Sequence, residues 1–263
     1  NRLYGSVTGV LTCGLPHPLA AQAGYETIKR GGSAIDAAVV VQLVLGLVEP
    51  QSSGIGGGSF ILHYEAATRR VSAYDGRETA PASARGDRFL DAAGKPLGFF
   101  EAVLSGRAVG VPGTLAVLER AHREHGKLPW PETFAPAIAL ARAGFPVSPR
   151  LHALLAWDPY LIRDPAAAAY FYRPDGTPLP VGTLLVNEPY AATLAQVAAA
   201  GAGAFYRGAI ARDIVAAVNR NPLPGDMTTA DLADYRAIAR EPVCAPFRSR
   251  RVCGMPPPSS GGI

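Results

Sequence analysis

The chain has 263 residues, of which 48% are hydrophobic and 17% are charged. This composition is typical of a globular protein with a large core and excludes an intrinsically disordered chain. The 25 basic and 21 acidic residues give a formal charge of +4, a small and scattered excess that does not favour a nucleic-acid-binding surface.

Two helices are predicted near the start of the chain. The first covers residues 18–30, and Gly31 provides a left-handed C-terminal cap. Ser33 caps the second, which covers residues 34–47. Apolar residues surround this second helix, so it is expected to be buried, and its apolar run is too short to span a membrane.

A β-hairpin follows. Residues 59–64 (SFILHY) and 70–74 (RVSAY) have the composition of strands, and EAATR joins them. Later in the chain, the patterns predict helices over 114–126, 131–144, 187–200, 203–219 and 228–235 and a second hairpin over 240–256.

Capping signals fix several of these ends. Thr114 is predicted to be the N-cap of its helix, and Gly126 is predicted to stop it. Thr228 and Asp231 have the spacing of a capping box.

Strands lie early and late in the sequence, with mostly helix between them. This order predicts an α+β fold in which helices cover a largely antiparallel sheet. The sequence has no internal repeat and no linker-like stretch, so residues 1–263 are predicted to form a single domain. The final residues, 256–263 (PPPSSGGI), contain no polar tail or capped helix, so we expect the chain to be an incomplete portion of a longer polypeptide.

The cysteines leave two alternatives open. Cys244 and Cys253 flank the short basic turn FRSRR, where facing strands allow either a disulfide or two buried thiols. Cys13 is isolated, no CxxC occurs and the five histidines are dispersed, so no metal site is expected.

The glycine-rich stretch 48–60 (VEPQSSGIGGGSF) raises the question of what comes so close to its backbone. A dinucleotide-binding loop needs a strand before it and a helix after it, and here the predicted order is the reverse. The sequence context therefore argues against a phosphate cradle. The remaining interpretation is a turn whose glycines allow positive φ and tight packing against the sheet.

Arg77 lies just beyond the second predicted strand, in DGRETAP (75–81). Its planar guanidinium could grip the carboxylate of an anionic small molecule through two hydrogen bonds. The simpler alternative is an ordinary ion pair with Glu78, Asp75 or another acid.

No nucleophile is expected in this chain. The hydroxyl residues considered have no His or Lys nearby in sequence and no G-x-S-x-G elbow. They are Ser52, Ser53, Ser259, Ser260, Thr228 and Thr229.

Taken together in order, four blocks resemble the N-terminal part of the large subunit of gamma-glutamyltransferases, also called gamma-glutamyltranspeptidases or glutathione hydrolases. They are residues 17–81 (HPLAAQ…DGRETAP), 106–130 (GRAVGVPG…GKLPW), 227–243 (MTTADLADYRAIAREPV) and 251–262 (RVCGMPPPSSGG). One small departure is Ser59, where many members carry another glycine.

The resemblance implies an N-terminal-nucleophile hydrolase fold, an αββα four-layer sandwich. The precursor would cut itself into a large and a small subunit, and the new N-terminal Thr of the small subunit would attack the γ-glutamyl amide. That Thr is expected after residue 263, so no catalytic residue is assigned here and the chain alone is expected to be inactive. Arg77 is the substrate-binding residue that carries over, with the α-carboxylate of the γ-glutamyl group as its ligand.

The resemblance implies no cofactor and no metal, and the expected partners are a small-molecule γ-glutamyl substrate and the self-cleaved small subunit, with no nucleic acid. Family members suggest a periplasmic or secreted location, although no signal peptide is visible. Two alternatives stay open. One is a related dicarboxylic acylase, of the glutaryl or cephalosporin acylase kind. The other is a non-catalytic truncated remnant.

Overall fold

The computed structural model describes residues 17–220 and 223–262. Helices and strands alternate irregularly along this part of the chain, and the paired strands are antiparallel. The predicted α+β class is therefore confirmed. In chain order, the elements are α1 (Pro18–Lys29), α2 (Ala34–Val48), β1 (Ser59–Glu65), β2 (Arg70–Gly76), α3 (Phe99–Val103), α4 (Thr114–His125), α5 (Trp130–Ala143), β3 (Phe145–Pro146), α6 (Pro149–Trp157), α7 (Pro165–Phe171), β4 (Leu184–Leu185), α8 (Glu188–Ala200), α9 (Gly203–Tyr206), α10 (Gly208–Val218), α11 (Thr229–Asp234), β5 (Ile238–Arg240), β6 (Val243–Phe247) and β7 (Arg250–Gly254).

The contacts divide the chain into two compact units. The first contains residues up to 54 and 127–199, and the second contains 55–126 and residues from 200 onward. Each unit is thus built from two separated stretches of chain. The expectation of a single domain over residues 1–263 stays a prediction.

In the first unit, α2 is buried around nearly its whole circumference, as its apolar sequence predicts. Ser33 and Asp36 form a capping box at its start, and Gly31 has the left-handed φ of +94° that was expected. The Asp36 carboxylate also accepts the backbone N–H groups of Lys127 and Leu128, at 2.9 and 3.2 Å. Burial raises the pKa of Asp36, but the backbone N–H of Ser33, together with those of Lys127 and Leu128, outweighs it and leaves that pKa below its usual range.

In the second unit, β1, β2 and β5 form an antiparallel sheet in that order, with Ser59 opposite Gly76 at one end of the first pair. Helix α4 packs against β1 and β2. The predicted hairpin of β1 and β2 is confirmed. Strand β5 is not predicted from the sequence, because three residues are too few to show an alternating pattern.

Some predicted details are wrong. Thr114 is the first helical residue of α4, and Gly113 occupies the N-cap position. The hydroxyl of Thr114 donates instead to the carbonyl of Gly57, at 3.0 Å. The helix predicted over 203–219 is broken, because Arg207 adopts an extended conformation (φ −140°, ψ 162°) between α9 and α10, and Gly208, the first residue of α10, has φ +74°. The capping box of Thr228 and Asp231 on α11 is confirmed.

Strands β6 and β7 form the predicted second hairpin, in which Cys244 lies opposite Cys253. The two cysteines are joined by a disulfide, which decides between the two alternatives. Cys13 lies outside the described residues. No helix within 17–220 and 223–262 has both the length and the apolarity needed to cross a lipid bilayer.

A cluster of titratable side chains lies between the sheet and α4. The rings of His63 and His125 stack with centroids 4.0 Å apart, and the hydroxyl of Tyr74 contacts His125 Nε2 and Glu124 Oε2, each at 2.6 Å. Burial, followed by the charge of His125, lowers the pKa of His63, and Glu65 opposes the shift only in part. Folding therefore favours the neutral form of the His63 imidazole.

We expect acid to destabilise the protein partly through His63. Below its ordinary pKa of 6.5 the unfolded chain takes up a proton that the folded protein resists, so the free energy of unfolding falls as pH drops below that value. The His63→Gln variant should lose less thermal stability than the wild type between pH 7.5 and pH 5. Thermal unfolding at both pH values measures this, and an equal loss in the two proteins would contradict it.

Candidate functional site

Arg77 follows directly after the last residue of β2 and extends into solvent. Its side chain is 61% exposed, and its Nε lies 3.4 Å from Oε2 of Glu78. Because an ion pair this exposed contributes little energy, it leaves most of the guanidinium available to a ligand. The two alternatives for Arg77 therefore hold together: Arg77 pairs with Glu78, and most of its guanidinium is open to a ligand.

The backbone of Arg77 is held on both sides. Its N–H donates to Oδ1 of Asp75 at 2.8 Å, and its carbonyl accepts the hydroxyl of Tyr235 at 2.7 Å. Asp75 is itself buried and accepts from Nε of Arg240 at 2.7 Å. Asp75 is therefore engaged by β5 and by the backbone, and Arg77 is presented from a fixed position.

Tyr235 is protonated at neutral pH and can serve only as a donor to that carbonyl. Burial, with smaller effects from the negative charges of Asp75 and Glu78, raises its pKa to about 12. Sequence reasoning missed Tyr235 because it ends a short helix 158 residues away from Arg77, and no local pattern connects the two.

The glycine loop approaches the same strand end. A Cβ added at Gly58 would clash with Oε2 of Glu78 and would lie 2.8 Å from the carbonyl oxygen of Gly76. The carbonyl of Gly57 accepts the N–H groups of Gly113 and Thr114, at 2.9 and 3.1 Å. The predicted tight packing against the sheet is present here.

The predicted positive φ of the loop glycines is wrong, since Gly56, Gly57 and Gly58 do not adopt a left-handed φ. These glycines serve close approach rather than a special turn. The structure confirms the order of helix, loop and strand that argued against a dinucleotide-binding loop, since α2 precedes the loop and β1 follows it.

A sequence model of the gamma-glutamyltranspeptidase family matches residues 20–263. The chain belongs to the gamma-glutamyltranspeptidase family. This confirms the resemblance carried by the four ordered blocks. The DGRETAP segment and the glycine loop both lie inside the matched range.

Individual relatives agree with this family. The chain is 40% identical over 248 residues to the glutathione hydrolase proenzyme of Bacillus subtilis strain 168, which covers 94% of this chain and 42% of the relative. It is 39% identical over 255 residues to the acylase ACY 1 proenzyme of Pseudomonas sp. strain SE83, covering 94% of this chain and 45% of that protein. The chain thus spans less than half the length of these two curated relatives.

The crystal structure of Helicobacter pylori gamma-glutamyltranspeptidase resembles the chain with a TM-score of 0.91 and 33% identity, covering 99% of this chain and 73% of that one. This likeness confirms the predicted N-terminal-nucleophile hydrolase fold. In the second unit, the hairpin of β1 and β2 with α4 against it is a part of that fold.

Proposed function

We propose that the intact protein is a γ-glutamyl transferase and hydrolase that cleaves γ-glutamyl amides such as glutathione. The observation that carries the proposal is Arg77, an exposed guanidinium on a fixed backbone in a chain of this family. The guanidinium would hold the α-carboxylate of the γ-glutamyl group through two parallel N–H···O bonds. Such a grip fixes the amide carbon relative to the attacking group.

The attacking group in this proposal is an N-terminal Thr that lies beyond residue 263, on a small subunit released by self-cleavage. Its own α-amine would take the proton of the Thr hydroxyl and pass it to the departing amine as the C–N bond breaks and the γ-glutamyl-Thr ester forms. Water or the amino group of an amino acid or peptide would then take the γ-glutamyl acyl group from this ester and return the Thr hydroxyl to its free form. The relatives are named as proenzymes, and this supports a protein that is processed into two subunits. The contribution of this chain is substrate binding, with the small subunit as its partner and the γ-glutamyl compound as its ligand.

A dicarboxylic acylase is the second candidate. The 39% identity to an acylase proenzyme favours it, because a glutaryl group also offers a carboxylate to Arg77 while lacking the α-amino group. The two candidates therefore share the role of Arg77 and differ in how the α-ammonium is recognised.

The test compares two chromogenic substrates with the intact, self-cleaved protein. We expect kcat/KM for γ-glutamyl-p-nitroanilide to exceed that for glutaryl-p-nitroanilide by at least tenfold, because unmatched polar groups of an ammonium site penalise the glutaryl compound. The release of p-nitroaniline measures both rates. A preference for the glutaryl substrate would replace the proposal by the acylase, and no turnover of either by the self-cleaved protein would reject both.

We also propose a periplasmic or secreted location. The disulfide between Cys244 and Cys253 supports an oxidising compartment, since such bonds are rare in reducing cytosol. Cell fractionation combined with thiol labelling tests this, and recovery of the protein from the cytosol with both thiols reduced would contradict it.

A further inference from the structure

Four arginines line one cleft of the second unit, apart from Arg77. Arg120 and Arg123 come from one face of α4, Arg207 from the junction of α9 and α10, and Arg236 from the residues after α11. The cleft has a volume of about 490 Å³. This volume lies within the range of about 300–1,000 Å³ that is usual for small-molecule sites.

The positive charge of this cleft is largely uncompensated. Arg120 pairs with Glu124 at 3.4 Å, but within the described ranges no carboxylate lies within 4.0 Å of Arg123, Arg207 or Arg236. The lining contains four arginines and one glutamate, so its formal charge is +3. All four arginines border the same cleft, so their like charges act on any ligand that enters it.

The single acid of the lining, Glu119, is already engaged. Its Oε1 accepts the backbone N–H of Ala202 at 2.7 Å, at the start of the segment that leads into α9. Glu119 thus ties two walls of the cleft together, and its single negative charge is already included in the formal charge of +3.

Backbone carbonyls orient three of the guanidinium groups. Arg120 Nη1 donates to the carbonyl of Ala237 at 2.7 Å, and both Arg207 Nη2 and Arg236 Nη1 donate to that of Ala233, at 3.0 and 2.9 Å. Arg207 and Arg236 are each held through one terminal nitrogen, and Arg120 is held through Nη1 and, by its pair with Glu124, through Nε, so all three keep further N–H donors for a ligand. Anchoring lowers the conformational entropy that the side chains would lose on binding.

Two tyrosines give the cleft a firm base. The rings of Tyr206 and Tyr235 are parallel within 6°, with centroids 5.8 Å apart, and both side chains are buried. The hydroxyl of Tyr206 donates to the carbonyl of Pro112 at 3.0 Å. The base is therefore fixed independently of the arginines.

We propose that this arginine cleft, defined by Arg120, Arg123, Arg207 and Arg236, binds a small anion that carries two or more phosphate or carboxylate groups. Guanidinium groups recognise both kinds of oxyanion through paired N–H donors. A charge of +3 favours a multiply charged ligand over a single halide. The proposal does not depend on the proposed γ-glutamyl activity, since Arg77 does not line the cleft.

The test is isothermal titration calorimetry of the intact protein with pyrophosphate and, separately, with citrate, in NaCl of matched ionic strength. We expect binding of one anion per protein molecule, and the two titrations show whether the site takes phosphate or carboxylate groups. The double variant Arg123→Gln/Arg207→Gln should weaken binding at least 100-fold, about tenfold for each charged hydrogen-bonding group removed.

The matched control is Arg250→Gln/Arg251→Gln, on β7, which removes the same net charge outside the cleft lining. It should leave affinity within about twofold of the wild type, because screening by salt weakens distant charges. Equal weakening in both double variants, or no heat of binding with either anion, would overturn the proposal. Thermal unfolding of each variant without anion shows whether it is folded, and the single variant Arg123→Gln, on an exposed side chain, repeats the test if the double variant is not.

Discussion

Replacing Arg77 by Ala in the intact protein should lower kcat/KM for γ-glutamyl-p-nitroanilide about 30-fold to 900-fold, chiefly by raising KM. The guanidinium is the carboxylate-binding group of the proposed site, and loss of a charge-assisted, two-point contact costs about 2–4 kcal/mol of transition-state binding. The exposed ion pair with Glu78 adds little to stability, so folding should be retained. Steady-state kinetics on the self-cleaved protein measure the effect.

Two further variants make this prediction specific. Arg77→Lys keeps the charge but not the planar fork, so it should recover only part of the lost activity. Arg70→Ala, at the opposite end of the same strand, removes an arginine outside the proposed site and should leave KM unchanged. Unchanged kinetics in Arg77→Ala would remove Arg77 from the substrate site, and the appearance of both subunits on a denaturing gel shows whether self-cleavage is intact.

The sequence located Arg77 but not the structure that holds it. The strand end at Gly76 and the neighbouring acids are visible in DGRETAP, and the family resemblance supplies the ligand. The sequence suggests Asp75 only as an ion partner of Arg77, whereas the Asp75 carboxylate accepts the Arg77 backbone N–H and pairs with Arg240. This pairing depends on β5 lying beside β2, a contact over 165 residues that no local signal encodes.

The helices were predicted best where capping chemistry is local. Helix α2 begins after Ser33, and helix α5 ends before Gly144, which has φ +87°, because these side-chain and backbone preferences act within one turn. The prediction of one helix over 203–219 misses the break at Arg207, since apolar and alanine-rich sequence on both sides favours helix, while Gly208 with its φ of +74° is the local residue that permits the interruption. Thr114 was misplaced by one residue because its hydroxyl serves the glycine loop instead of the helix end.

The glycine loop likewise depends on contacts with distant residues, which the local sequence does not show. The sequence shows that small residues are crowded between Gly54 and Ser59, but it cannot show which of them faces an obstacle. The structure separates them, because a Cβ at Gly56 would meet nothing within 4 Å whereas one at Gly58 would meet both Glu78 and the carbonyl of Gly76. Among these closely spaced glycines, close packing against β2 requires a glycine at position 58 but not at position 56.

Gly58→Ala should therefore lower the free energy of unfolding by about 1–3 kcal/mol, the usual cost of overpacking. The added methyl group would force aside the Glu78 carboxylate, whose Oε2 is buried, and would press on the end of β2. Each kcal/mol corresponds to about 2–4 °C in Tm for a protein of this size. Thermal unfolding by circular dichroism measures the change.

Gly56→Ala is the matched control, two residues away in the same loop. It adds the same methyl group into open space at a φ outside the left-handed region, so it should leave Tm unchanged or raise it slightly by restricting the unfolded chain. Equal destabilisation by the two variants would mean that close approach to β2 is not the reason for Gly58.

The double variant Gly58→Ala/Glu78→Ala separates the two obstacles. If the Glu78 carboxylate is the main obstacle, Gly58→Ala should cost little stability in a protein that already carries Glu78→Ala. The double variant should then be nearly as stable as Glu78→Ala alone. If the Gly76 carbonyl is the main obstacle, the cost of Gly58→Ala should persist at full size, since backbone at a strand end cannot rotate away as a side chain can. The comparison thus decides whether the glycine loop packs against the end of β2, the strand that precedes Arg77, or only against the side chain of Glu78.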